Sequence, residues 1–142
     1  MRWTAVMFFV LSSGIAMAQD STPNSIADNH LLKRLFDADQ NDRKNGTIDQ
    51  ETVKRDADRR KQVFAELRNG RIRTADDHYY AAMVFQHGES ADDIRLAFSM
   101  AWISAQMDPK NNDRSLWLSA AAWDRIMTVS YTHLTLPTKR IV

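Results

Sequence analysis

Between Thr74 and Trp102 the chain reads TADDHYYAAMVFQHGESADDIRLAFSMAW, a stretch that leaves little room for anything but helix. Thr74 with Asp77 forms a capping box in which Asp replaces the usual Glu, and Asp76 and Asp77 suit the positive end of a helix dipole. Gly88 stands where a left-handed C-terminal stop is expected. Between these signals Tyr79, Tyr80, Ala81, Ala82, Met83, Val84 and Phe85 are apolar nearly all round, the mark of a short helix buried between neighbours. Tyr80, Val84 and His87 follow helical spacing, so His87 shares the inward face. A second box, Ser90 to Asp93, opens a second helix with two apolar stripes. Ile94, Ala97, Phe98, Ala101 and Ala105 form one; Leu96, Met100, Ile103 and Met107 form the other. Two stripes require two packing partners, and the alanines allow helix axes to approach to about 8–10 Å.

The flanking segments repeat this pattern. Ser25 is placed to cap a helix reaching about Arg43, with Ile26, Leu31, Leu32, Leu35 and Phe36 inward. Asn45-Gly46 marks a turn. Asp49 caps a charged helix of about Gln50–Asn69, closed by Gly70, whose apolar stripe is Val53, Ala57, Phe64 and Leu67, widened by Val63. The alternating charges from Lys54 to Lys61 read as a solvated face laced with ion pairs. Asn112 or Asp113 caps a last helix, Arg114–Met127, with Leu116, Leu118, Ala121, Ala122 and Ile126 inward and Trp117 and Trp123 flanking. The expected fold is all-α: a five-helix orthogonal or solenoid-like bundle of helix–turn–helix pairs over residues 25–127. These pairs loosely resemble short α-solenoid repeats of the tetratricopeptide kind. Only 4 glycines and 3 prolines in 142 residues agree with helices rather than turn-rich β structure.

The ends read differently. Residues 1–18 have the form of a signal peptide: Arg2, an apolar run from Ala5 to Ile15, and Ala16-Met17-Ala18 as a small-x-small cleavage site. Export to the periplasm or medium is therefore expected, with no membrane association after cleavage. Residues 19–24 form a polar, disordered leader. Residues 128–142 break the helical period and carry Pro137, and Val129–Val142 resembles the translated read-through of a sequencing adapter. They are expected to be a non-native tail that truncates the natural C-terminus.

The chemistry available is limited. There is no cysteine, hence no disulfide, thiol nucleophile or Cys-based metal site. The 19 Lys and Arg against 18 Asp and Glu become even once Arg2 is removed with the leader, so nothing favours nucleic acid or acidic membranes. Asp37-x-Asp39-x-Asn41 starts like an EF-hand loop and Gly46-x-Ile48 ends like one, but the two are out of register. His30, His78, His87 and His133 have no metal-ligand spacing, and neither a metal nor a cofactor is expected. No nucleophile elbow and no glycine-rich phosphate cradle is present. What remains is a set of polar residues on otherwise apolar helices: Asp39, Gln40 and Arg43; Gln86 and His87; Asp124 and Arg125. Buried polar groups need partners. They form either a structural network that stitches helix ends together, or a pocket in which His87 acts as a base or anchor and Arg43 or Arg125 holds an anion.

Several of these residues fall in a recognisable order. Asp39-Gln40-x-x-Arg43, Asp56-x-x-Arg59, Asp77-x-Tyr79-Tyr80-Ala81-Ala82 running into Phe85-Gln86-His87-Gly88, and Trp117-Leu118-x-Ala120-Ala121-x-x-Asp124-Arg125 together resemble the bacterial domain-of-unknown-function family 6624, over roughly Leu31–Met127. The resemblance implies a helical, often exported domain and no particular activity. Members usually continue after the Asp-Arg pair to a Gly-x-x-Gln and a final Gly-Thr-Gln, which this chain lacks.

Three functional readings follow. The first is an exported binding or interaction module for an unknown protein or small-molecule ligand. Its contact groove would be lined by Tyr80, Trp102 and Trp123, with Gln40, Arg43, Gln86 and Arg125 as ligand-binding candidates. The second is a hydrolase-like or transferase-like enzyme with His87, Asp124 and Asp39 as catalytic candidates. The third is a structural periplasmic protein. The enzyme reading requires His87 to lie within hydrogen-bond reach, directly or through one water, of Asp39, Asp124, Arg43 or Arg125.

Overall fold

The third helix owes its central place to its own sequence. In the computed structural model, which describes residues 26–44, 46 and 48–134 and side chains through Val129 only, five helices follow in order. They are α1 (His30–Lys44), α2 (Gln50–Arg68), α3 (Ala75–Gln86), α4 (Ala91–Met107) and α5 (Asp113–Leu134). The described residues contain no strand, and the fold is all-α. The expected leader (1–18), the polar segment (19–24) and residues 135–142 of the tail lie outside them.

Both halves of the Thr74 capping box are formed: Asp77 N donates to Thr74 Oγ1 at 3.1 Å, and Thr74 N donates to Asp77 Oδ2 at 3.2 Å. Past this cap Tyr80, Ala81, Ala82, Val84 and Phe85 are all buried, as an all-round apolar helix must be. α4 packs against α3, and α5 against α4, in chain order; α1 lies across α3, and α2 touches both. The α3–α4–α5 seam is made of small residues. Ala97, Ala101 and Ala105 are wholly buried on α4, opposite Ser115, Leu118 and Ala122 on α5. Ser104 Oγ donates to the Ala75 carbonyl at 2.7 Å and lies 2.9 Å from Ser115 Oγ, so these buried hydroxyls are satisfied.

Several expectations are corrected. α1 starts at His30, with Asn29 as the capping group: its Oδ1 accepts from Leu31 N at 2.9 Å. Ile26 is 59% exposed rather than inward. α5 continues past Met127 to Leu134, because no Gly or Pro interrupts residues 128–134 and β-branched residues only weaken a helix. Leu116, Ile103 and Met107 are exposed, so the second stripe of α4 is covered only at Met100 and partly at Leu96. The three aromatics expected in one groove do not share one. Tyr80 is buried against Phe36, with ring centroids 5.0 Å apart, whereas Trp123 sits 5.6 Å from Phe98 and Trp102 faces solvent.

The glycines also divide. Gly70 has φ +64° and ends α2 in a Schellman arrangement, Gly70 N donating to Leu67 O and Arg71 N to Glu66 O, each at 3.0 Å. Gly88 is not left-handed. It is required for space, since a Cβ there would stand 2.3 Å from Asp93 Cβ in the first turn of α4.

The largest departure is α2. Its inward face is Thr52, Asp56, Arg59, Val63 and Glu66, while Val53 and Phe64, expected inside, are 40% and 45% exposed. Four of the five inward side chains are polar. They can be buried because each has a partner: Arg43 and Asp42 of α1 meet Asp56 and Arg59, Asp49 meets Thr52, and Asn29 and Arg71 meet Glu66, and a paired buried charge avoids the cost of an unpaired one.

Candidate ligand-binding site at the end of the third helix

α3 ends with Gln86, and the chain turns through His87 and Gly88 into α4. The last carbonyls of a helix lack intrahelical donors and carry the negative end of its dipole. Two guanidinium groups supply donors here. Arg125 of α5 donates from Nη1 to the Gln86 carbonyl and from Nη2 to the Gly88 carbonyl, the latter at 3.0 Å. Arg60 of α2 donates from Nη1 to the His87 carbonyl at 3.4 Å.

The His87 ring meets α1. Its Nδ1 lies 3.0 Å from Asp39 Oδ2 and 3.1 Å from Oδ1. Asp39 is fully buried and also accepts from Arg43 Nη1 at 2.9 Å and Gln40 Nε2 at 2.9 Å. A carboxylate only accepts, so Nδ1 donates, and Nε2 carries the lone pair in the neutral ring. Nε2 has no hydrogen-bond partner among the described residues.

From Asp39 the charges alternate across the α1–α2 interface. Arg43 Nη2 reaches Asp56 Oδ2 at 2.7 Å, Asp56 Oδ1 accepts from Arg59 Nη2 at 3.0 Å, Arg59 also binds Asp42, and Asp42 accepts from Arg55 Nε at 3.0 Å. The hydrogen bond from Arg55 holds the Asp42 carboxyl below the usual carboxylate range, and the charges of Arg59 and Arg43 act in the same direction. In return Asp42 raises the pKa of Arg55. Such a network adds modest net stability but makes the loss of any one member costly. The acids of the Asp37–Asp42 run each have a basic partner: Lys33 for Asp37, His87 and Arg43 for Asp39, Arg55 and Arg59 for Asp42. Among the described residues no group of three His or acidic side chains is arranged to hold a metal.

A cleft of about 310 Å³ opens beside this network. It is lined by Arg43, Arg60, Arg125 and His87, by the aliphatic Ile48 and Val53, and by Asp56, Gly88 and Glu89. Its volume is at the lower end for small-molecule sites. A larger hollow of about 780 Å³ lies at the start of α1, but its buried acids are committed to the chain itself. Glu66 accepts from Asn29 and Arg71, and Asp77 from the backbone of Asn29, Arg73 and Thr74. That hollow is a helix junction, and the smaller cleft is where unengaged polar groups converge.

The fold brings together Asp39, Gln40, Arg43, Gln86, His87 and Arg125 of the residues singled out from sequence. Asp124 is the exception. It is exposed on α5, since one residue's rotation turns it away as Arg125 turns in. Gln86 takes part through its carbonyl, and its buried side-chain Oε1 has no partner among the described residues. Asp56, Arg59, Arg60, Ile48 and Val53 were not assigned to a site. A signal for two of them was present, because Thr52, Asp56, Arg59, Val63 and Glu66 follow a four-three spacing that marks one helix face.

No family model matches this chain, and no curated protein and no solved structure does either. The likeness to the domain-of-unknown-function family stands on the motif residues alone.

Proposed function

We propose that this chain is an exported helical binding module whose cleft between α1, α2, α5 and the end of α3 takes a small anionic ligand. Export rests on the signal-peptide pattern of residues 1–18. Ligand binding rests on one observation above all. Arg125 lines the cleft with no carboxylate within 4 Å among the described residues, whereas Arg43 and Arg60 are each paired with acids. A partly buried cation without a counter-ion favours an incoming anion, and the guanidinium fork suits planar oxyanions. The test is calorimetric titration of the full chain with acetate and with inorganic phosphate, in parallel with Arg125→Gln. Binding that disappears in Arg125→Gln supports the proposal; absence of binding by either anion removes it.

A second reading, an enzyme, is favoured by the Asp39–His87 pair. A carboxylate on Nδ1 orients the imidazole and leaves Nε2 as a base on the cleft side. Among the described residues no Ser, Thr, Cys or Lys lines the cleft. Hydrolysis of a panel of small activated esters, abolished in His87→Gln, would favour it; turnover unchanged in that variant would end it.

A further inference from the structure

The charge count around the cleft narrows its ligand, on the premise that the anion-binding reading above holds. Arg43, Arg55 and Arg59 interlock with Asp39, Asp42 and Asp56, three cations with three anions. Arg60 is matched by Asp93 at 3.6 Å. Glu89, also in the lining, is exposed, so its charge is screened by solvent. His87 Nδ1 donates to Asp39, whose carboxylate is already counted. Among the described residues one cation of the lining, Arg125, is left without an acid within 4 Å. Two of its five N–H donors go to backbone carbonyls, and the others remain for a ligand. A site with one uncompensated positive charge is matched to a monoanion, and a phosphate dianion would leave one negative charge unbalanced in a partly desolvated cleft.

Part of the lining is apolar. Ile48 is 51% exposed and Val53 40% exposed, and both border the same cleft. Two large aliphatic side chains and several cationic ones around about 310 Å³ give a cleft with both charged and apolar lining. At the ~30 Å³ that a water molecule occupies in the liquid, the volume corresponds to about ten non-hydrogen atoms.

We infer that the ligand is a small monocarboxylic acid with an apolar body, its carboxylate on Arg125 and its body against Ile48 and Val53. Calorimetric titration of the full chain with acetate, butanoate, hexanoate and octanoate, the matching amides and inorganic phosphate tests this. Affinity is expected to rise roughly fourfold for each added methylene until the cleft is filled. The amides are expected to bind about tenfold or more weakly, since they lose the charge-assisted bond. Val53→Ser and Ile48→Ser alter exposed side chains and are expected to leave the fold intact, to flatten the chain-length trend and to retain acetate binding. Phosphate binding more tightly than hexanoate, or a chain-length trend that survives both serine variants, would overturn the inference while leaving an anion site in place. Absence of binding by every anion tested removes this inference and the anion site together.

Discussion

Asp39 in α1 and His87 at the end of α3 lie 48 residues apart along the chain and 3.0 Å apart in space. Asp39 is where the two halves of the molecule meet, because the same carboxylate also receives Arg43 and Gln40. Asp39→Ala leaves Arg43 with one carboxylate partner fewer and His87 without its anchor, next to a buried hole. The expected loss is about 3–5 kcal/mol, as for breaking a buried ion pair. Urea denaturation measures it, and a loss below about 1 kcal/mol would show that the network carries no structural weight.

The inward face of α2 can be tested by paired substitutions of adjacent residues. Val63 is fully buried and Phe64 is about half exposed. Val63→Ala is expected to cost about 2 kcal/mol through lost burial and a small cavity. Phe64→Ser, although chemically far more drastic, is expected to cost less, about 1 kcal/mol, because nearly half of that side chain is already exposed. The sequence-based expectation placed Phe64 inside and predicts the opposite order, so melting curves of the two variants decide between them.

Gly88→Ala forces a methyl group to within 2.3 Å of Asp93 Cβ, so α4 must shift away from the end of α3. Overpacking of this kind costs about 1–3 kcal/mol. Because the shift also moves Asp93 off Arg60 and leaves that cation less compensated, anion affinity in the cleft is expected to rise. Gly70→Ala meets open space but a φ of +64°, so it is expected to lose about 1–2 kcal/mol of stability with unchanged anion affinity.

Acid should weaken the α1–α2 interface. The folded-state pKa of Asp42 is depressed, first by its hydrogen bond from Arg55. A depressed carboxyl contributes stability that is fully present above its unfolded value, near 3.9, and is lost as pH falls through the folded value. Asp49, whose carboxylate caps α2 by accepting from the Thr52 hydroxyl and N–H, behaves in the same sense. Urea midpoints are therefore expected to drop on acidification below about pH 4, and less steeply in Asp42→Asn than in the wild-type chain. Equal slopes in the two proteins would show that Asp42 is not linked to folding.

How much of this was readable in advance varies with the range of the interaction. The caps at Asp49, Thr74 and Ser90 and the stop at Gly70 were legible because a cap is satisfied within four residues of itself. The burial of α3 was legible because its apolar residues leave no polar face to turn outward. His87 was placed inward by spacing alone. The face of α2 was not legible, because Asp56 and Arg59 look like a solvated surface until Arg43 and Asp42 are set opposite them. Whether Arg125 or its neighbour Asp124 enters the cleft depends on the rotation of α5 against α4, which no local pattern records.

What the sequence determined by itself is therefore the set of helices, most of their caps and the central place of α3, since these depend on propensity, periodicity and hydrogen bonds made within one turn. What only the tertiary structure decided is which polar residues are inside and which of them share a cleft. A charged side chain can be buried only when a complementary one arrives from elsewhere in the chain, and that pairing is a property of packed helices rather than of any one of them.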